Sequence, residues 1–229
     1  MKKYVTSGII LTRINFRDAD RIITILTPNY GKLKLIARGV RKIKSKIADS
    51  IELFSVSTFT IVQGKKEISI LASSKLQTYF KNITEDYSRT MVGYEILKII
   101  NKSTREVVDS EYYELLLNSL TELNNTMTNS LLVKCWFMAR QLKILGHEIN
   151  TTTDIDNNKL KDKHKYNFDL TQMAFYESKN ASYNANHIKL LRLLIKEDIQ
   201  KLKLISNLNK ELELIDGLLV SVLAQYKVN

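Results

Sequence analysis

Basic side chains are concentrated between residues 32 and 46, in the run KLKLIARGVRKIKSK. This run holds seven Lys and Arg residues, and no acidic residue occurs between Asp20 and Asp49. A charge run is often only a solvated loop, but here no nearby acid would repel a polyanion. We therefore predict a phosphate-contacting surface formed by this run together with two preceding arginines: Arg13, Arg21, Lys32, Lys34, Arg38, Arg41, Lys42, Lys44 and Lys46.

The excess positive charge belongs to the N-terminal third of the chain. Of the net charge of +11, residues 1–80 contribute +10 from 15 basic and 5 acidic residues, whereas residues 81–229 contribute +1. Such an asymmetry indicates an anionic partner for one domain, with nucleic acid or a membrane surface as the leading candidates. A membrane-spanning chain is not expected, because the mean hydropathy is −0.18 and 26% of the residues are charged.

Four aromatic residues near the basic run have two possible roles. Phe16, Tyr30, Phe54 and Phe59 are available as stacking platforms for the bases of a single strand. A small barrel also needs large side chains inside it, and this second role is favoured for each residue taken singly.

Signatures of catalysis are missing from the sequence. The pairs Gly31-Lys32 and Gly64-Lys65 lack the preceding glycine and the following hydroxyl residue of a phosphate-binding loop. We therefore expect neither an ATPase nor any other enzyme, and no cofactor.

Metal and thiol chemistry are not expected either. The segment that begins at Asp154 imitates the start of a calcium loop, but it has Lys159 where glycine is needed and Lys165 where a bidentate glutamate is needed. The three histidines are too dispersed for a zinc motif. Cys135 lies on a helical apolar stripe, which predicts a small core residue. A single cysteine and the absence of a secretory signal predict a cytoplasmic protein.

The first 80 residues predict short strands rather than helices. β-rich runs occupy residues 5–14, 21–27, 53–63 and 67–73, and Lys32 to Leu35 alternates between polar and apolar residues. Turns are predicted at residues 28–31, which include Pro28 and Gly31, and at residues 64–66. About five strands without room for crossover helices predict a small antiparallel β-barrel of the OB-fold type.

The remainder of the chain, residues 81–229, predicts a helical domain, so the fold class is α+β. Helical stripes begin at Tyr87, Leu116, Leu131, Ile188 and Leu208, and Gly146 occupies a typical C-cap position. Between about 147 and 186 the pattern lapses into a polar insertion, with a short strand or hairpin around residues 168–176.

Three segments carry a more specific pattern: residues 8–13 (GIILTR), 18–32 (DADRIITILTPNYGK) and 37–46 (ARGVRKIKSK). Their order and spacing closely resemble the opening of the RecO family of bacterial DNA repair and recombination mediators. The resemblance continues to about Phe80, and Phe137, Leu142, Leu145 and Gly146 are similar to the family's helix before its zinc-binding insertion. Many members carry a four-cysteine zinc module after that helix, but residues 147–229 contain no cysteine, so no zinc site is transferred.

The resemblance implies an OB-fold DNA-binding domain over residues 1–80 and a helical domain over residues 81–229. It also implies binding to single- and double-stranded DNA, annealing of complementary strands without ATP, and loading of RecA onto single strands coated by single-stranded DNA-binding protein (SSB), together with RecR. The C-terminal tail of SSB is a further implied partner. The alternatives are an RNA-binding or membrane-surface adaptor that uses the same basic face and, less favoured, a metal-dependent nuclease.

Overall fold

A computed structural model describes residues 2–45, 47–64, 68–104, 109–205 and 208–226. The chain divides into two compact units, Met1–Thr126 and Met127–Asn229. Among these described residues, the first unit contains five strands, a short 3-10 helix and three α-helices, and the second contains four α-helices and a two-stranded hairpin. The predicted α+β class is therefore confirmed. The predicted division into domains at residue 80 remains a prediction.

The five strands of the first unit form a closed barrel. They are β1 (Lys3–Phe16), β2 (Asp20–Thr27), β3 (Gly31–Ala37), β4 (Ser55–Val62) and β5 (Ile68–Tyr79). They are hydrogen-bonded in the order β1-β2-β3-β5-β4, and β1 also pairs with β4, which closes the ring. The predicted turn at residues 28–31 joins β2 to β3, with Thr27 opposite Gly31. The predicted OB-type barrel is therefore confirmed.

One strand pair differs from the purely antiparallel arrangement that the sequence predicted. β3 and β5 run parallel, with Lys34 opposite Ile68 and Ile36 opposite Ile70, whereas the other four pairs are antiparallel. In a closed ring of five strands the directions cannot alternate all the way round, so at least one neighbouring pair must be parallel.

The barrel interior is apolar and is closed partly by the connection between β3 and β4. Ile10, Ile23 and Phe59 are fully buried in the barrel core. Val40 from the connection and Ile51 from its short 3-10 helix (Asp49–Ile51) belong to the same core. The connection therefore carries the second half of the predicted basic run, and the burial of Val40 and Ile51 holds it against the barrel.

Three helices complete the first unit: α1 (Lys81–Glu85), α2 (Tyr87–Ser103) and α3 (Ser110–Asn124). The side chain of Asp86 caps α2 by accepting a hydrogen bond from the Arg89 amide. Gly93 of α2 lies against the Phe54 ring, where an added Cβ would be only 2.6 Å from Cε1 of that ring. The glycine therefore permits a close approach between this helix and the start of β4.

The second unit contains α4 (Ser130–Ile144), β6 (Tyr166–Asp169), β7 (Ala174–Glu177), α5 (Ala185–Lys196), α6 (Ile199–Leu202) and α7 (Asn209–Gln225). β6 and β7 form the predicted hairpin in the insertion. Gly146 has a φ of 78° and donates its amide to the Lys143 carbonyl, as the C-cap prediction required.

The stripe that begins at Ile188 is divided between two helices. Glu197 ends α5, and the Asp198 side chain begins α6 by accepting from the Gln200 amide. Within the described residues, no helix is long and apolar enough to cross a membrane.

Candidate nucleic-acid interface

The basic run begins in β3, and from Arg38 onward it forms a loop that is hydrogen-bonded to the turn between β1 and β2. The amide of Gly39 donates to Oδ1 of Asp20 at 2.7 Å, and the amide of Arg41 donates to the carbonyl of Ala19 at 2.9 Å. Gly39 has a φ of 64°, a conformation that glycine adopts without a steric penalty. The loop therefore has a definite position beside the β1–β2 turn.

Tight turns shape the loop itself. The amide of Lys42 donates to the carbonyl of Gly39 at 3.1 Å, and the amide of Ser45 donates to the carbonyl of Lys42 at 2.9 Å. Val40 is buried in the barrel core, whereas the side chains around it are exposed. One apolar anchor and several backbone hydrogen bonds thus present the basic side chains to solvent.

Four of the predicted contact residues are exposed and without an acidic partner. Among the described residues, the structure shows no salt bridge for the following side chains: Lys34, Arg38, Lys42 and Lys44. We call these four the exposed cations. Their charge is available to an anionic partner without the loss of an existing ion pair.

Three other predicted contact residues are already bound within the protein, and we call them the engaged cations: Arg13, Arg21 and Lys32. Glu52 forms ion pairs with both arginines, and its distance to Nη1 of Arg21 is 3.7 Å. Nε of Arg21 also donates to Oδ1 of Asn15 at 3.2 Å. Nζ of Lys32 donates to the carbonyl of Asn101, in the last turn of α2, at 2.7 Å. A phosphate must compete with these partners.

Arg41 is intermediate between the two sets. Its Nη1 donates to the carbonyls of Arg17 and Asp18 at 3.3 and 3.2 Å, but the side chain is exposed and makes no salt bridge with a carboxylate of the described residues. The last predicted contact residue, Lys46, lies outside the described residues.

The structure adds one cation that the sequence analysis missed. Arg17 is exposed in the β1–β2 turn, its backbone carbonyl accepts from Arg41, and its guanidinium lies 5.1 Å from the centroid of the Phe16 ring. Arg17 is far from the basic run in sequence, and Asp18 follows it directly. Only the pairing of the turn with the loop brings it to this surface.

The four aromatic candidates divide between core and surface. Phe54 and Phe59 are fully buried, as the core interpretation predicted. Phe16 is half-buried, and Tyr30 is exposed with its ring centroid 4.6 Å from that of Tyr4. Burial, and secondarily the neighbouring Tyr30, raises the pKa of the Tyr4 phenol. Phe16 and Tyr30 are thus the two candidates with accessible ring surface.

In the second unit, the residues considered for metal or thiol chemistry have structural contacts. Cys135 is buried, as predicted, and burial raises the pKa of its thiol. Oδ1 of Asp154 accepts from the amides of Asp156 and Asn158, which forms a local turn. Nδ1 of His187 accepts from the Asn184 amide in a capping box. Within the described ranges, no cluster of three or more His, Cys, Asp or Glu side chains is arranged to hold a metal ion.

Aromatic side chains organise the insertion that the sequence showed only as polar. Tyr166 and Phe175 are buried, and the Phe175 ring makes edge contacts with Phe168 at 5.0 Å and Tyr183 at 5.7 Å. The hydroxyl of Tyr166 accepts from the Lys161 amide at 2.8 Å. These residues recur too irregularly in the sequence to indicate a core by periodicity.

Comparisons with known proteins match both parts of the chain. A family model described as "Recombination protein O N terminal" matches residues 1–80, and one described as "Recombination protein O C terminal" matches residues 84–227. The boundary between the two matches follows the change from strands to helices.

Curated relatives have the same description. A "DNA repair protein RecO" of Mycoplasma mycoides subsp. mycoides is 33% identical over 145 residues, covering 62% of this chain and 58% of the relative. The protein of that name from Dehalococcoides mccartyi is 27% identical over 221 residues, covering 92% of this chain and 87% of the relative. The stronger of these two matches thus spans less than two thirds of the relative's length.

Proposed function

Because the chain belongs to the RecO family of non-enzymatic DNA repair and recombination proteins, we propose that it is a recombination mediator that binds DNA through the basic loop. It binds single- and double-stranded DNA and anneals complementary strands without ATP. With RecR, it helps to load RecA onto single strands coated by SSB. Its place of action is the bacterial cytoplasm, where these strands arise during repair.

The observation that carries this proposal is the loop at residues 38–45, whose backbone is held by hydrogen bonds and whose basic side chains are exposed. Hydrogen bonds from Gly39 and Arg41 to the β1–β2 turn hold the loop, and Arg38, Lys42 and Lys44 are exposed without an acidic partner among the described residues. Phosphates that contact these side chains release condensed counterions, which favours binding at low salt. Contacts of this type carry little sequence information, so sequence preference is weak.

Neutralisation of the DNA phosphates by the exposed cations also accounts for annealing. Two complementary strands repel one another through their phosphates, and a cationic surface that binds both strands lowers this repulsion. Base pairing then supplies the free energy of strand joining, so no step needs nucleotide hydrolysis. Annealing should therefore proceed equally well with and without ATP.

The protein partners are assigned to the helical part of the chain. Residues 81–229 have a charge balance of only +1, which is less suited to DNA than the strongly basic residues 1–80. Resemblance to the family supports RecR and the acidic, apolar-ended tail of SSB as ligands of this part, with RecA reached indirectly. Apolar grooves between helices are a usual binding mode for such peptide tails.

The test of this function measures annealing of complementary strands, bare and coated with the cognate SSB, and RecA filament formation on the coated strands, each with and without RecR. We expect annealing by the protein alone on bare strands, and a dependence on RecR for RecA filament formation on coated strands. A protein that binds these strands but never accelerates their pairing would contradict the mediator function.

Competition among ligands distinguishes the proposal from its alternatives. We expect single-stranded DNA to displace a labelled single strand better than RNA or vesicles that contain phosphatidylglycerol. Preferential displacement by RNA or vesicles would instead indicate an adaptor that uses the same basic face. Cleavage of the strand that depends on Mg²⁺ would indicate the nuclease alternative.

A further inference from the structure

Ile43 lies among the cations of the loop and is fully exposed. Its exposed fraction is the largest of any large apolar side chain that the structure describes. Single exposed apolar side chains are ordinary on protein surfaces. Ile43 differs from the others because Arg41, Lys42 and Lys44, which are exposed as well, surround it in the chain.

The backbone on both sides of Ile43 gives this side chain a definite place. Lys42 and Ser45 donate their amides to carbonyls within the loop, and Val40 is held in the barrel core. Ile43 therefore projects from a turn whose backbone is held in place. Its β-branched side chain also has few rotamers, so little conformational entropy is lost on binding.

We propose that Ile43 contacts the bases of the bound nucleic acid while the neighbouring cations contact its phosphates. Apolar side chains of this kind act as wedges between bases, and their contact with base faces removes apolar surface from water. The partner implied by this arrangement is a strand whose bases are already unstacked. This inference rests on the proposed function, because it assumes that the basic loop binds DNA.

The same arrangement predicts a preference among DNA structures. Insertion of a wedge into an intact duplex requires unstacking of a base step, which has a cost, whereas a single strand or the end of a duplex presents base faces at little cost. Phosphate contacts alone would favour the higher charge density of the duplex. Ile43 therefore shifts binding towards single strands and junctions.

The experiment compares Ile43→Ser with the parent on phosphatidylglycerol vesicles and on three DNA ligands of equal length: a single strand, an abasic single strand and an intact duplex. Ile43→Ser should lower affinity for the normal strand about three- to tenfold, in proportion to the lost apolar burial. Affinity for the abasic strand, which keeps the phosphates but lacks the bases, should not change. Affinity for the intact duplex, whose base steps stay stacked, should change much less than that for the normal strand. The slope of log affinity against log salt should also stay at the parent value, because no cation is lost.

Leu204→Ser is the matched control, since Leu204 is another highly exposed apolar side chain and lies in the second unit. It should leave the affinities for all four ligands unchanged. Equal losses for Ile43→Ser on the normal and abasic strands, or no loss on either, would overturn the base contact. A loss confined to phosphatidylglycerol vesicles would assign Ile43 to a membrane contact instead. If the parent protein binds none of the DNA ligands, the proposed function itself fails.

Discussion

The exposed and the engaged cations are similar in sequence but differ in the structure. Lys34, Arg38, Lys42 and Lys44 reach solvent, and the described residues provide no ion pair for them. Arg13 and Arg21 share Glu52, and Lys32 binds the carbonyl of Asn101. The comparison teaches that the number of positive charges in a segment overestimates the number that can contact phosphate. The contacts that are already present decide how many remain.

The largest expected effect comes from reversal of charge in the loop. Replacement of Arg38, Arg41 and Lys42 together by Glu should weaken DNA binding by orders of magnitude and abolish annealing. The parent should show a slope of log affinity against log salt near −3 to −4, as expected for about 4–6 neutralised phosphates, and the variant should show a flatter one. Thermal stability should change little, since exposed charges contribute little to folding.

The control for this triple variant is a triple with the same change in net charge in the second unit. Lys159, Lys163 and Lys179 are also exposed, and their replacement by Glu adds the same negative charge far along the chain. This control should reduce affinity only slightly through the overall field. Comparable losses in both triples would mean that net charge rather than the loop determines binding.

A pair of substitutions on one strand tests the comparison directly. Lys34→Met should reduce the magnitude of the salt slope by about 0.7, with no change in the free energy of unfolding. Lys32→Met should leave the slope unchanged but lower the free energy of unfolding by about 1–2 kcal/mol, because the Asn101 carbonyl loses a charged hydrogen-bond donor. Salt titrations and urea unfolding measure the two quantities. If Lys32→Met changed the salt slope and Lys34→Met lowered the free energy of unfolding, Lys32 would be the DNA contact and Lys34 the structural residue.

Release of the engaged arginines from Glu52 should raise DNA affinity, and this gain should be smaller than the loss caused by charge reversal in the loop. Glu52→Gln removes the carboxylate charge that holds Arg13 and Arg21, so DNA affinity should rise a few-fold and the salt slope should become steeper. The ion pairs are partly exposed, so the free energy of unfolding should fall by less than about 1 kcal/mol. Fluorescence anisotropy with a labelled single strand measures the gain. A weaker binder would show that Glu52 orients these arginines for DNA rather than competing with it.

The smallest expected effect is that of metal removal. The proposed DNA contacts are made by side-chain charge in the first unit, and in the second unit the insertion is packed through aromatic contacts among Phe168, Phe175 and Tyr183. Treatment with a chelator should therefore change neither the melting temperature nor DNA affinity. Elemental analysis that finds stoichiometric zinc, together with a lower melting temperature after its removal, would contradict this expectation.

Much of the first unit was predictable because its signals are local. The turn at Pro28 and Gly31, and the alternation of Lys32 to Leu35, predicted the β2–β3 hairpin that the structure contains. The parallel pairing of β3 with β5 was not predictable from such patterns, because it follows from closure of the whole ring. The helical stripe after Ile188 was also continuous in sequence, yet Asp198 begins a new helix within it.

The sequence predicted which segment forms the candidate site, but not which of its basic side chains are accessible to a ligand. The missing acids between Asp20 and Asp49 identified the loop, and Arg17 was overlooked because it joins the surface only through the β1–β2 turn. The aromatic candidates divided in a similar way. Phe59 faces the core, whereas Tyr30 is exposed at the turn before β3.

The sequence by itself determined the strands of the barrel, the apolar stripes of the helices and the basic character of residues 1–80. These properties depend on side-chain type and on spacing over a few positions. The tertiary structure alone decided which cations remain available to a ligand. Glu52 meets Arg13 and Arg21 only when the barrel has formed, and Asn101 meets Lys32 across 69 positions only after α2 has packed against the barrel. Electrostatic partners are set by distance in space, and distance in space is what a linear sequence does not specify.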